Sequence, residues 1–437
     1  MAKKYYFIGI GGISMSALAI FLKLSGEDVS GSDIAFGDTL LELDKFGITY
    51  HIGHKKENIE NFNPDFVVVN CAIHEDNEEF KFATNKKIKV ITRAKLLGLF
   101  SKKFKNVIAI SGTHGKTTTV GMISEIFIEA KMKPTVHIGG ILNKIGSNFL
   151  IGDNKFFITE ACEYQNSFLS LRPKIGVMLN LERDHMDFFK NYKDLEISFD
   201  KFLSYSKIKI YPKNLKKEYK FEYQTPKEIV EIYAKDIVKT PKGLSFKYYE
   251  DDKYIGTFEI PSFGAHNINN AIVAIKVARH FKIKTLYIKR ALRTFSGVRR
   301  RYEQLGIINN CDIIHDYAHH PTEIKKVIHE AKENGKVLTI FQPHTYSRTK
   351  KLINEFLKCF DETDDLFLYK TYPAREEEKN GYSAKKLYEL LLEKKDCKYF
   401  DDDTKLIKAV KKTLCNYDTV LFLGAGNIDL IAKKIIK

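Results

Sequence analysis

The sequence predicts an α/β protein of three domains, and three observations support this class. Its 437 residues exceed what one hydrophobic core usually holds, so two or three domains are expected. Short apolar runs alternate with helix-like stretches along most of the chain, which is typical of sheets covered by helices. Two of these runs lead into glycine-bearing turns, at residues 9–12 and 112–115, and a helix-like segment follows each turn.

The predicted domain boundaries follow the spacing of these units. Residues 1–104 form a Rossmann-like N-terminal domain in this prediction. Residues 105–295 form a central P-loop-type ATPase domain with a mixed sheet. Residues 296–437 form a C-terminal Rossmann-like α/β domain.

The first glycine turn resembles a dinucleotide-binding fingerprint. The run G-I-G-G-I-S places Ser14 where the fingerprint has its third glycine, and Asp33 follows about 20 residues later, after a second predicted strand. Gly11, Gly12 and Asp33 are therefore candidate nucleotide contacts. On these residues alone, NAD, FAD or any other diphosphate-linked nucleotide fits.

The second glycine turn predicts a triphosphate-binding loop. It follows the apolar run Val107–Ile110 and has the short form G-T-x-G-K-T rather than the full Walker pattern. Backbone N–H groups and a helix N-terminus favour bound phosphate. Lys116 would reach the β- and γ-phosphates, and the Thr117 hydroxyl would face Mg²⁺. The candidate phosphate-binding residues are Gly112, Thr113, His114, Gly115, Lys116, Thr117 and Thr118.

Two polar clusters follow later strands of the central domain. Glu160 ends a strand-like run, and His185 lies shortly after another one. Because ligands bind at the carboxyl ends of strands in a doubly wound sheet, both side chains could meet the phosphate loop and hold a divalent metal. Glutamate suits Mg²⁺, and histidine accepts Mg²⁺ or Mn²⁺ less readily. The alternative is that each residue caps the helix that follows it.

The rest of the central domain contains one further candidate site. Alternating runs at 243–249 and 256–260 predict antiparallel strands that extend the central sheet. A predicted helix then opens with His266, Asn267 and Asn270 among four His and Asn residues, more than helix capping needs. This helix start is a candidate binding rim.

The third domain repeats the alternation of strands and helices. Polar clusters again follow the predicted strands, and three adjacent arginines at 299–301 suit phosphate binding. We predict strands at 311–315, 336–341, 365–370 and 418–424, and helices at 321–333, 348–360, 383–393, 404–413 and 427–436. The loops after these strands are expected to gather on one edge of the sheet.

Composition excludes several classes of protein. The net charge of +16 comes from lysines scattered through predicted helices and loops, so it favours a solvated surface over nucleic-acid binding. No apolar run is long enough for a transmembrane helix, and the N-terminus lacks a signal-peptide pattern. Six dispersed cysteines without a C-x-x-C motif fit a reducing cytoplasm.

Taken in order, the motifs resemble those of the Mur ligase family of peptidoglycan synthesis. The resemblance covers nearly the whole chain. It rests on G-I-G-G-I-S-M, S-G-S-D, S-G-T-H-G-K-T-T-T, E-A-C-E-Y, N-L-E-R-D-H-M-D, G-A-H-N-I-N-N-A, G-V-R-R-R-Y-E, D-Y-A-H-H-P-T-E, Q-P-H-T-Y-S-R-T and Y-P-A-R-E-E. The chain departs from the family pattern at Ser14, at Asn70 and Cys71, at Cys162, and at His315, which stands where an acid is common.

The resemblance implies a reaction and its ligands. The N-terminal domain would bind UDP, the central domain ATP with Mg²⁺, and the C-terminal domain would contribute to nucleotide and amino-acid binding. Among the reactions of the family, the motifs favour joining L-alanine to the lactyl carboxylate of UDP-N-acetylmuramate. An acyl phosphate would be the intermediate, with ADP and phosphate released.

The resemblance also implies individual roles. In the central domain, Lys116 would bind the β- and γ-phosphates, Thr117 and Glu160 would hold one Mg²⁺, and His185 would hold a second; His266, Asn267 and Asn270 would contact adenine. In the third domain, Arg300, Asp316 and His320 would bind nucleotide, and His344 and Arg348 would position the amino acid and the acyl phosphate. In the N-terminal domain, Gly11, Gly12 and Asp33 would serve the UDP side.

Other readings remain open on the sequence. A sibling ligase adding another amino acid, or a preformed peptide, shares most of these motifs. Folyl-polyglutamate synthase shares the central domain but lacks a separate N-terminal nucleotide domain. An NAD-dependent oxidoreductase would explain only the first 35 residues, and a non-catalytic nucleic-acid binder would explain only the charge. Oligomeric state is not predicted.

Overall fold

The structure is a computed structural model that describes residues 2–186, 188–214, 219–262, 264–374, 376–378 and 381–436. Two residues of the sequence motifs, Asp187 and Arg375, lie outside the described residues. The described residues form three β-sheets with helices, which confirms the predicted three-domain α/β class. The first two sheets belong to one compact unit, within residues 1–262 and 266–296. The third sheet belongs to a second unit, within residues 263–265 and 297–437.

The N-terminal sheet is parallel and has the order β3-β2-β1-β4-β5. Its strands are β1 (Lys4–Ile8), β2 (Asp28–Asp33), β3 (Thr49–Ile52), β4 (Phe66–Val69) and β5 (Lys89–Thr92), and its helices are α1 (Ile13–Leu24), α2 (Asp38–Asp44), α3 (Lys56–Phe62), α4 (Glu78–Asn85) and α5 (Arg93–Ser101). The strand order reverses beside β1. The crevice at the carboxyl ends of β1 and β4 is therefore the ligand-binding position of a Rossmann-like sheet.

The central sheet has ten strands in the order β15-β14-β13-β12-β11-β10-β6-β9-β7-β8. Its strands are β6 (Asn106–Ser111), β7 (Thr135–Leu142), β8 (Ser147–Leu150), β9 (Phe156–Glu160), β10 (Ile175–Met178), β11 (Ile208–Pro212), β12 (Lys220–Gln224), β13 (Ile229–Thr240), β14 (Gly243–Glu250) and β15 (Lys253–Ile260). Strands β7, β9, β6, β10 and β11 are parallel, and β11 to β15 pair antiparallel. The predicted mixed sheet and its antiparallel extension are confirmed.

Helices cover the central sheet, and its apolar side chains join it to the N-terminal sheet. The helices are α6 (Lys116–Glu129), α7 (Tyr192–Ser204), α8 (His266–His280) and α9 (Thr285–Arg293), with a 3₁₀ segment at Tyr164–Ser170. Phe100 of α5 stacks on Phe21 of α1 at 4.9 Å between ring centroids and meets Phe157 of β9 edge-on at 5.5 Å. The two sheets therefore share one hydrophobic core.

The third sheet has the order β16-β17-β21-β18-β19-β20. Its strands are β16 (Glu303–Ile308), β17 (Cys311–Asp316), β18 (Val337–Phe341), β19 (Asp365–Tyr369), β20 (Lys398–Phe400) and β21 (Thr419–Leu423), and its helices are α10 (Pro321–Lys332), α11 (Tyr346–Lys351), α12 (Ile353–Cys359), α13 (Ala384–Leu392), α14 (Asp403–Thr413) and α15 (Ile428–Ile436). Strand β16 pairs antiparallel, and the other strands pair parallel. The loops after β17, β18, β19 and β21 therefore leave the same edge, as predicted.

One predicted helix of the third sheet is wrong. The segment 348–360 forms two helices, because Leu352 leaves helical geometry with φ −110° and ψ 19°. Leu352 ends α11 and precedes α12, so the break is a local backbone change within an otherwise helical pattern. None of the described helices has both the length and the apolar composition that crossing a membrane requires.

Candidate active site

The phosphate loop, residues 112–115, joins β6 to α6 and depends on its two glycines. Gly112 has φ +135° and Gly115 has φ +83°, conformations that residues with a Cβ atom rarely adopt. A Cβ atom on Gly115 would also lie 2.5 Å from Oδ1 of Asn270. Gly115 is the N-cap of α6, so the first backbone N–H groups of this helix, which have no acceptor within the helix, lie next to the loop.

The segment that follows β10 holds the phosphate loop in place. The backbone N–H of His114 donates to Oδ1 of Asn180 at 2.9 Å, and Nδ2 of Asn180 donates to the His114 carbonyl at 3.1 Å. Nε2 of His114 lies 3.1 Å from the carboxylate of Glu182, whose own N–H donates to Oγ1 of Thr113. Asn180 and Glu182 thus fix His114 and Thr113 by two contacts each.

Lys116 turns its ammonium toward the loop and toward one carboxylate. Nζ donates to the carbonyls of Gly112 and Thr113 and lies 3.1 Å from both oxygens of Glu163. Burial acts to lower the pKa of Lys116, but the negative charge of Glu163 and its neighbours outweighs burial and raises that pKa. Lys116 is therefore a permanent cation beside the loop.

Glu163, Asp184 and His185 form an acidic cluster next to Lys116. One ligand atom of each residue lies within 4.8 Å of the others. Nε2 of His185 is 3.6 Å from Glu163 and 3.7 Å from Asp184, and its ring packs 4.8 Å from the ring of Tyr164. Two carboxylates and one imidazole are hard and borderline ligands that fit Mg²⁺ or Mn²⁺. The cluster could hold a divalent cation beside phosphate.

The predicted metal ligand Glu160 has a different partner. Its carboxylate accepts a hydrogen bond from the backbone N–H of Gly139 at 2.6 Å, and a Cβ atom on Gly139 would lie 2.8 Å from the same carboxylate. Glu160 still acts electrostatically on Lys116, and Thr117 is buried in the first turn of α6. The metal roles of Glu160, Thr117 and His185 stay predictions.

The start of α8 packs against the start of α6. Oγ1 of Thr119 donates to Oδ1 of Asn270 at 3.1 Å, and Nδ2 of Asn270 donates to Oδ1 of Asn267 at 3.0 Å. Nδ2 of Asn267 in turn donates to Oγ of Ser262 at 2.7 Å. Asn267 and Asn270 are buried and His266 is half-buried. The predicted binding rim adjoins the phosphate loop, and its contact with adenine stays a prediction.

The glycine turn of the N-terminal sheet is shaped by Asp33. Oδ2 of Asp33 accepts the Gly11 N–H at 2.8 Å, and Oγ1 of Thr39 donates to the Gly11 carbonyl at 2.5 Å. Gly12 is the N-cap of α1 and has no side-chain capping bond. These contacts place Gly11, Gly12 and Asp33 at the carboxyl edge of the sheet, and their role toward UDP stays a prediction.

In the second unit, Arg300 lies against the loop after β21. Its NH2 nitrogen donates to the Gly426 carbonyl at 2.6 Å and lies 3.9 Å from Asp429. Its guanidinium also lies 4.9 Å from the ring centroid of Tyr317. Nε of Arg300 is buried and has no hydrogen-bond partner among the described residues.

Asp316 and His320 flank the loop after β17. The carboxylate of Asp316 accepts N–H groups of Tyr302 at 2.7 Å and Ala318 at 2.6 Å. Burial nevertheless raises the pKa of Asp316 to about 6, against the opposing effect of Arg301. His320 is the N-cap of α10, and its Nδ1 lies 2.8 Å from Oγ1 of Thr322.

His344 and Arg348 lie together after β18. Nδ1 of His344 is 3.2 Å from NH1 of Arg348, and its ring stacks on Tyr372 at 5.6 Å between centroids. Burial, and next the charge of Arg348, lower the pKa of His344 to about 4. The imidazole is therefore neutral at pH 7. His319 lies 6.1 Å from His344 between ring centroids, so loops after two strands meet here.

Four residues of this site escaped the sequence prediction. Asp184 adjoins the predicted His185, Asn180 lies two residues after β10, and Glu163 is the second glutamate of E-A-C-E. Their positions directly after strands were a usable signal. Arg93 begins α5 and donates to Oγ of Ser14 at 3.1 Å. It lies in no motif, so the sequence contained no signal for it.

The chain is similar to known proteins along its whole length. Models of the Mur ligase catalytic domain, the Mur ligase middle domain and the Mur ligase glutamate ligase domain match residues 4–105, 110–278 and 300–426. UDP-N-acetylmuramate–L-alanine ligase of Caldanaerobacter subterraneus subsp. tengcongensis is 38% identical over 450 residues, covering 100% of this chain and 97% of the relative.

Two further proteins show the same likeness. The ligase of the same name from Caldicellulosiruptor bescii is 39% identical, covering 99% of both chains. The crystal structure of UDP-N-acetylmuramate-alanine ligase from Thermotoga maritima matches with a TM-score of 0.83 and 25% identity, covering 99% of this chain and 98% of the other. Matches to all three domains, together with identity near 38% along the whole chain, show that this chain belongs to the Mur ligase family.

Proposed function

We propose that this protein is an ATP-dependent ligase that joins L-alanine to the lactyl carboxylate of UDP-N-acetylmuramate. The product amide forms through an acyl phosphate, and ADP and phosphate are released. The full-length relatives named as UDP-N-acetylmuramate–L-alanine ligases support this choice within the family. The observation that carries it is the phosphate loop with Lys116 and the acidic cluster beside it.

The first step of the proposed reaction transfers phosphate to a carboxylate. An oxygen of the lactyl carboxylate bonds to the γ-phosphorus of ATP, and the bond to the β–γ bridging oxygen breaks, with its electron pair leaving on ADP. Two anions must approach each other in this step, so fixed positive charge lowers the barrier. Lys116 supplies that charge, and the N–H groups at the start of α6 supply partial charge.

A divalent cation fits the residues on the other side of Lys116. We propose that Glu163, Asp184 and His185 hold Mg²⁺, with the predicted Thr117 and Glu160 contributing. Bound there, the cation would neutralise phosphate charge as a Lewis acid. Glu163 would then face both the cation and Lys116, and it would fix the spacing between them.

The second step forms the amide. The neutral amine of L-alanine attacks the carbonyl carbon of the acyl phosphate, the tetrahedral intermediate expels phosphate, and the amine loses a proton. We propose that Arg348 binds anionic oxygen of the reactants and that His344 accepts or relays the proton. The neutral His344 imidazole supports this role, because its lowered pKa keeps a lone pair on Nδ1 at pH 7. That lone pair accepts from NH1 of Arg348 in the structure and would be released when Arg348 turns to the anionic oxygen.

The domain assignment belongs to the same proposal. Residues 1–104 would bind the UDP moiety and residues 105–295 ATP. Residues 296–437 would contribute to nucleotide and amino-acid binding. The matched family domains support this division. The further proposed contacts are Gly11, Gly12 and Asp33 for UDP, His266, Asn267 and Asn270 for adenine, and Arg300, Asp316 and His320 for nucleotide.

The test is phosphate release from ATP and Mg²⁺ with UDP-N-acetylmuramate and each amino acid in turn. We expect release that depends on L-alanine, together with a product whose mass increases by one alanyl residue. Release that depends on another amino acid, or only on a peptide, would assign a sibling ligase. Absence of release with every acceptor would reject ligase activity.

A further inference from the structure

Four side chains connect the glycine turn of the N-terminal sheet to the end of β9. NH1 of Arg93 donates to Oγ of Ser14 at 3.1 Å, and this Oγ lies 2.8 Å from Nε2 of His137. Nδ1 of His137 lies 3.0 Å from Oγ1 of Thr159, which donates to the Glu160 carbonyl at 3.1 Å. All five residues lie in the first unit. The contacts form one continuous hydrogen-bonded chain.

The donors and acceptors give this chain a direction. Arg93 can only donate, so Ser14 accepts from it and keeps its own hydroxyl proton for Nε2 of His137. His137 then carries its proton on Nδ1 and donates to Thr159, whose hydroxyl proton goes to the Glu160 carbonyl. In the opposite tautomer Thr159 would donate to His137 and lose its bond to Glu160. Only the Nδ1–H tautomer makes all four contacts hydrogen bonds.

The outer end of the chain faces the proposed sugar-nucleotide side. Ser14 lies in the first turn of α1, two residues beyond the N-cap Gly12. Arg93 is half-buried and has no acidic partner among the described residues, so its charge remains available to an anion. A second link, from Nδ2 of Asn148 in β8 to the Ile13 carbonyl, holds the same helix start to the central sheet.

The inner end of the chain faces the proposed metal and phosphate side. His137 and Thr159 are register partners in the parallel pair β7–β9, so their side chains meet on one face. Two residues after His137, the N–H of Gly139 holds the Glu160 carboxylate. The segment 137–139 therefore fixes both the peptide and the side chain of the β9 end.

We propose that His137 is a positioning residue that couples occupation of the glycine turn by the sugar nucleotide to the orientation of Glu160. The proposal rests on the proposed function, because it takes the sugar nucleotide as the ligand of that turn. The neutral state that the chain requires has independent support. Burial, and next the charge of Arg93, lower the pKa of His137 to about 3.

Two substitutions divide the chain at its centre. In His137→Asn the amide nitrogen takes the place of Nδ1 and keeps the bond to Thr159 but loses Ser14. In His137→Gln the amide oxygen takes the place of Nε2 and keeps the bond to Ser14 but loses Thr159. Each variant retains one half of the hydrogen-bonded chain. Loss of coupling in both variants would therefore show that coupling requires the unbroken series of hydrogen bonds. His280→Asn, on α8 and bonded to Tyr223, is the matched control for removing an imidazole from the first unit.

The readout is the coupling of two binding events. The dissociation constant of a non-hydrolysable ATP analogue with Mg²⁺ is measured with and without UDP-N-acetylmuramate, and kcat and both KM values are measured beside it. We expect the sugar nucleotide to tighten analogue binding roughly 5- to 150-fold in the wild type and His280→Asn. In both His137 variants we expect this factor to fall to about one, with binding of the analogue alone unchanged and kcat reduced.

Two results would overturn the proposal. One is a coupling factor in both His137 variants equal to that of the wild type. Such a result, even with a lowered melting temperature, would mean that His137 has only a structural role. The other is the opposite tautomer in ¹⁵N spectra of the imidazoles, with the signal of His137 among the 13 histidines identified by its loss in His137→Asn. Failure of the proposed function differs from both, because the wild type itself would then form no L-alanine-dependent product.

Discussion

At the scale of single residues, Glu163 shows what the sequence could and could not predict. Glu160 ends β9 and Glu163 lies three residues beyond it, and the sequence analysis named only Glu160 as a metal ligand. The choice depends on how the chain turns into the 3₁₀ segment at Tyr164, where Gln165 and Asn166 adopt positive φ angles. Residue types alone do not specify that turn. The strand end was therefore predictable, and the carboxylate nearest to Lys116 was not.

The two carboxylates can be separated by their response to Mg²⁺. Glu163→Gln is expected to raise the Mg²⁺ concentration for half-maximal phosphate release at least tenfold, because it removes a charged ligand from the cluster with Asp184 and His185. Glu160→Gln is its matched control in length and charge, and a smaller shift is expected. A larger shift in Glu160→Gln would return the ligand role to the residue that the sequence indicated.

Lys116→Ala tests the cation beside the phosphate loop. We expect phosphate release to fall at least a hundredfold, because the variant lacks the fixed positive charge that faces the transferred phosphoryl group. The free energy of unfolding should also fall by roughly 2 kcal/mol, because buried Glu163 loses its cation. Urea unfolding and phosphate release measure the two effects. Lys131→Ala, exposed beyond the other end of α6, should change neither, and near-normal release by Lys116→Ala would reject the role.

His315 is a fully buried histidine in the third sheet. Neither ring nitrogen has a hydrogen-bond partner among the described residues, although the side chain is fully buried in β17. His315→Leu is expected to raise the free energy of unfolding at pH 7.5 by about 1 kcal/mol, because it removes two unpaired polar atoms at similar volume. His329→Leu, exposed and paired with Glu362, should not stabilise the protein. Loss of stability in His315→Leu would reveal a partner for the ring.

At the scale of elements, apolar runs predicted strands well where both faces are covered. Every residue of β6, β10, β18 and β21 is buried, and each lies where the sequence placed a strand. Short or exposed elements such as β3 and β20 were missed, because little of their surface is buried and their sequence carries little hydrophobic periodicity. The break at Leu352 was missed for a related reason, since no Gly or Pro marks it.

The phosphate loop is the element whose geometry depends most on glycine. Gly115→Ala is expected to lower the free energy of unfolding by about 2 kcal/mol and to abolish phosphate release, because a Cβ atom at φ +83° would meet Asn270. Gly146→Ala is the matched control: φ is +64° there, but open space surrounds the Cβ position. It should cost about 1 kcal/mol and leave release unchanged. Equal effects would show that backbone strain, and not contact with Asn270, sets the cost.

At the scale of the whole molecule, order along the chain was more informative than any single motif. The sequence predicted that the phosphate loop, the His185 cluster and the start of α8 belong to one sheet, because each follows a predicted strand or opens a predicted helix. It did not reveal the hydrogen-bonded chain from Arg93 to Glu160, which joins helices α1 and α5 to strands β7 and β9 at separations of up to 123 positions. Contacts of that kind depend on packing that local patterns do not encode.

Buried ionisable groups make acid stability a property of the whole fold. The pKa values of His137, His315 and His344 are lowered by burial to about 3, about 4 and about 4. An unfolded histidine titrates near 6.5, so the unfolded chain binds more protons than the folded one between pH 6.5 and 4. Stability from these groups is complete above pH 6.5 and is lost as the pH falls. Asp316 acts in the opposite direction, since burial raises its pKa to about 6 and favours its protonated folded form.

We therefore expect the free energy of unfolding to fall between pH 6.5 and 4. The buried histidines, with His280 among them, outweigh Asp316 and Glu125, whose pKa values burial raises. For His315 alone, a pKa of about 4 against 6.5 corresponds to about 3 kcal/mol over this range. Urea unfolding at pH 7.5, 6, 5 and 4.5 measures the loss in the wild type and in His315→Leu. As the pH falls, the free energy of unfolding of His315→Leu should decrease less than that of the wild type, and the difference is the contribution of His315. The decrease in His329→Leu should equal that of the wild type. Parallel curves for wild type and His315→Leu would show that this histidine does not resist protonation in the fold.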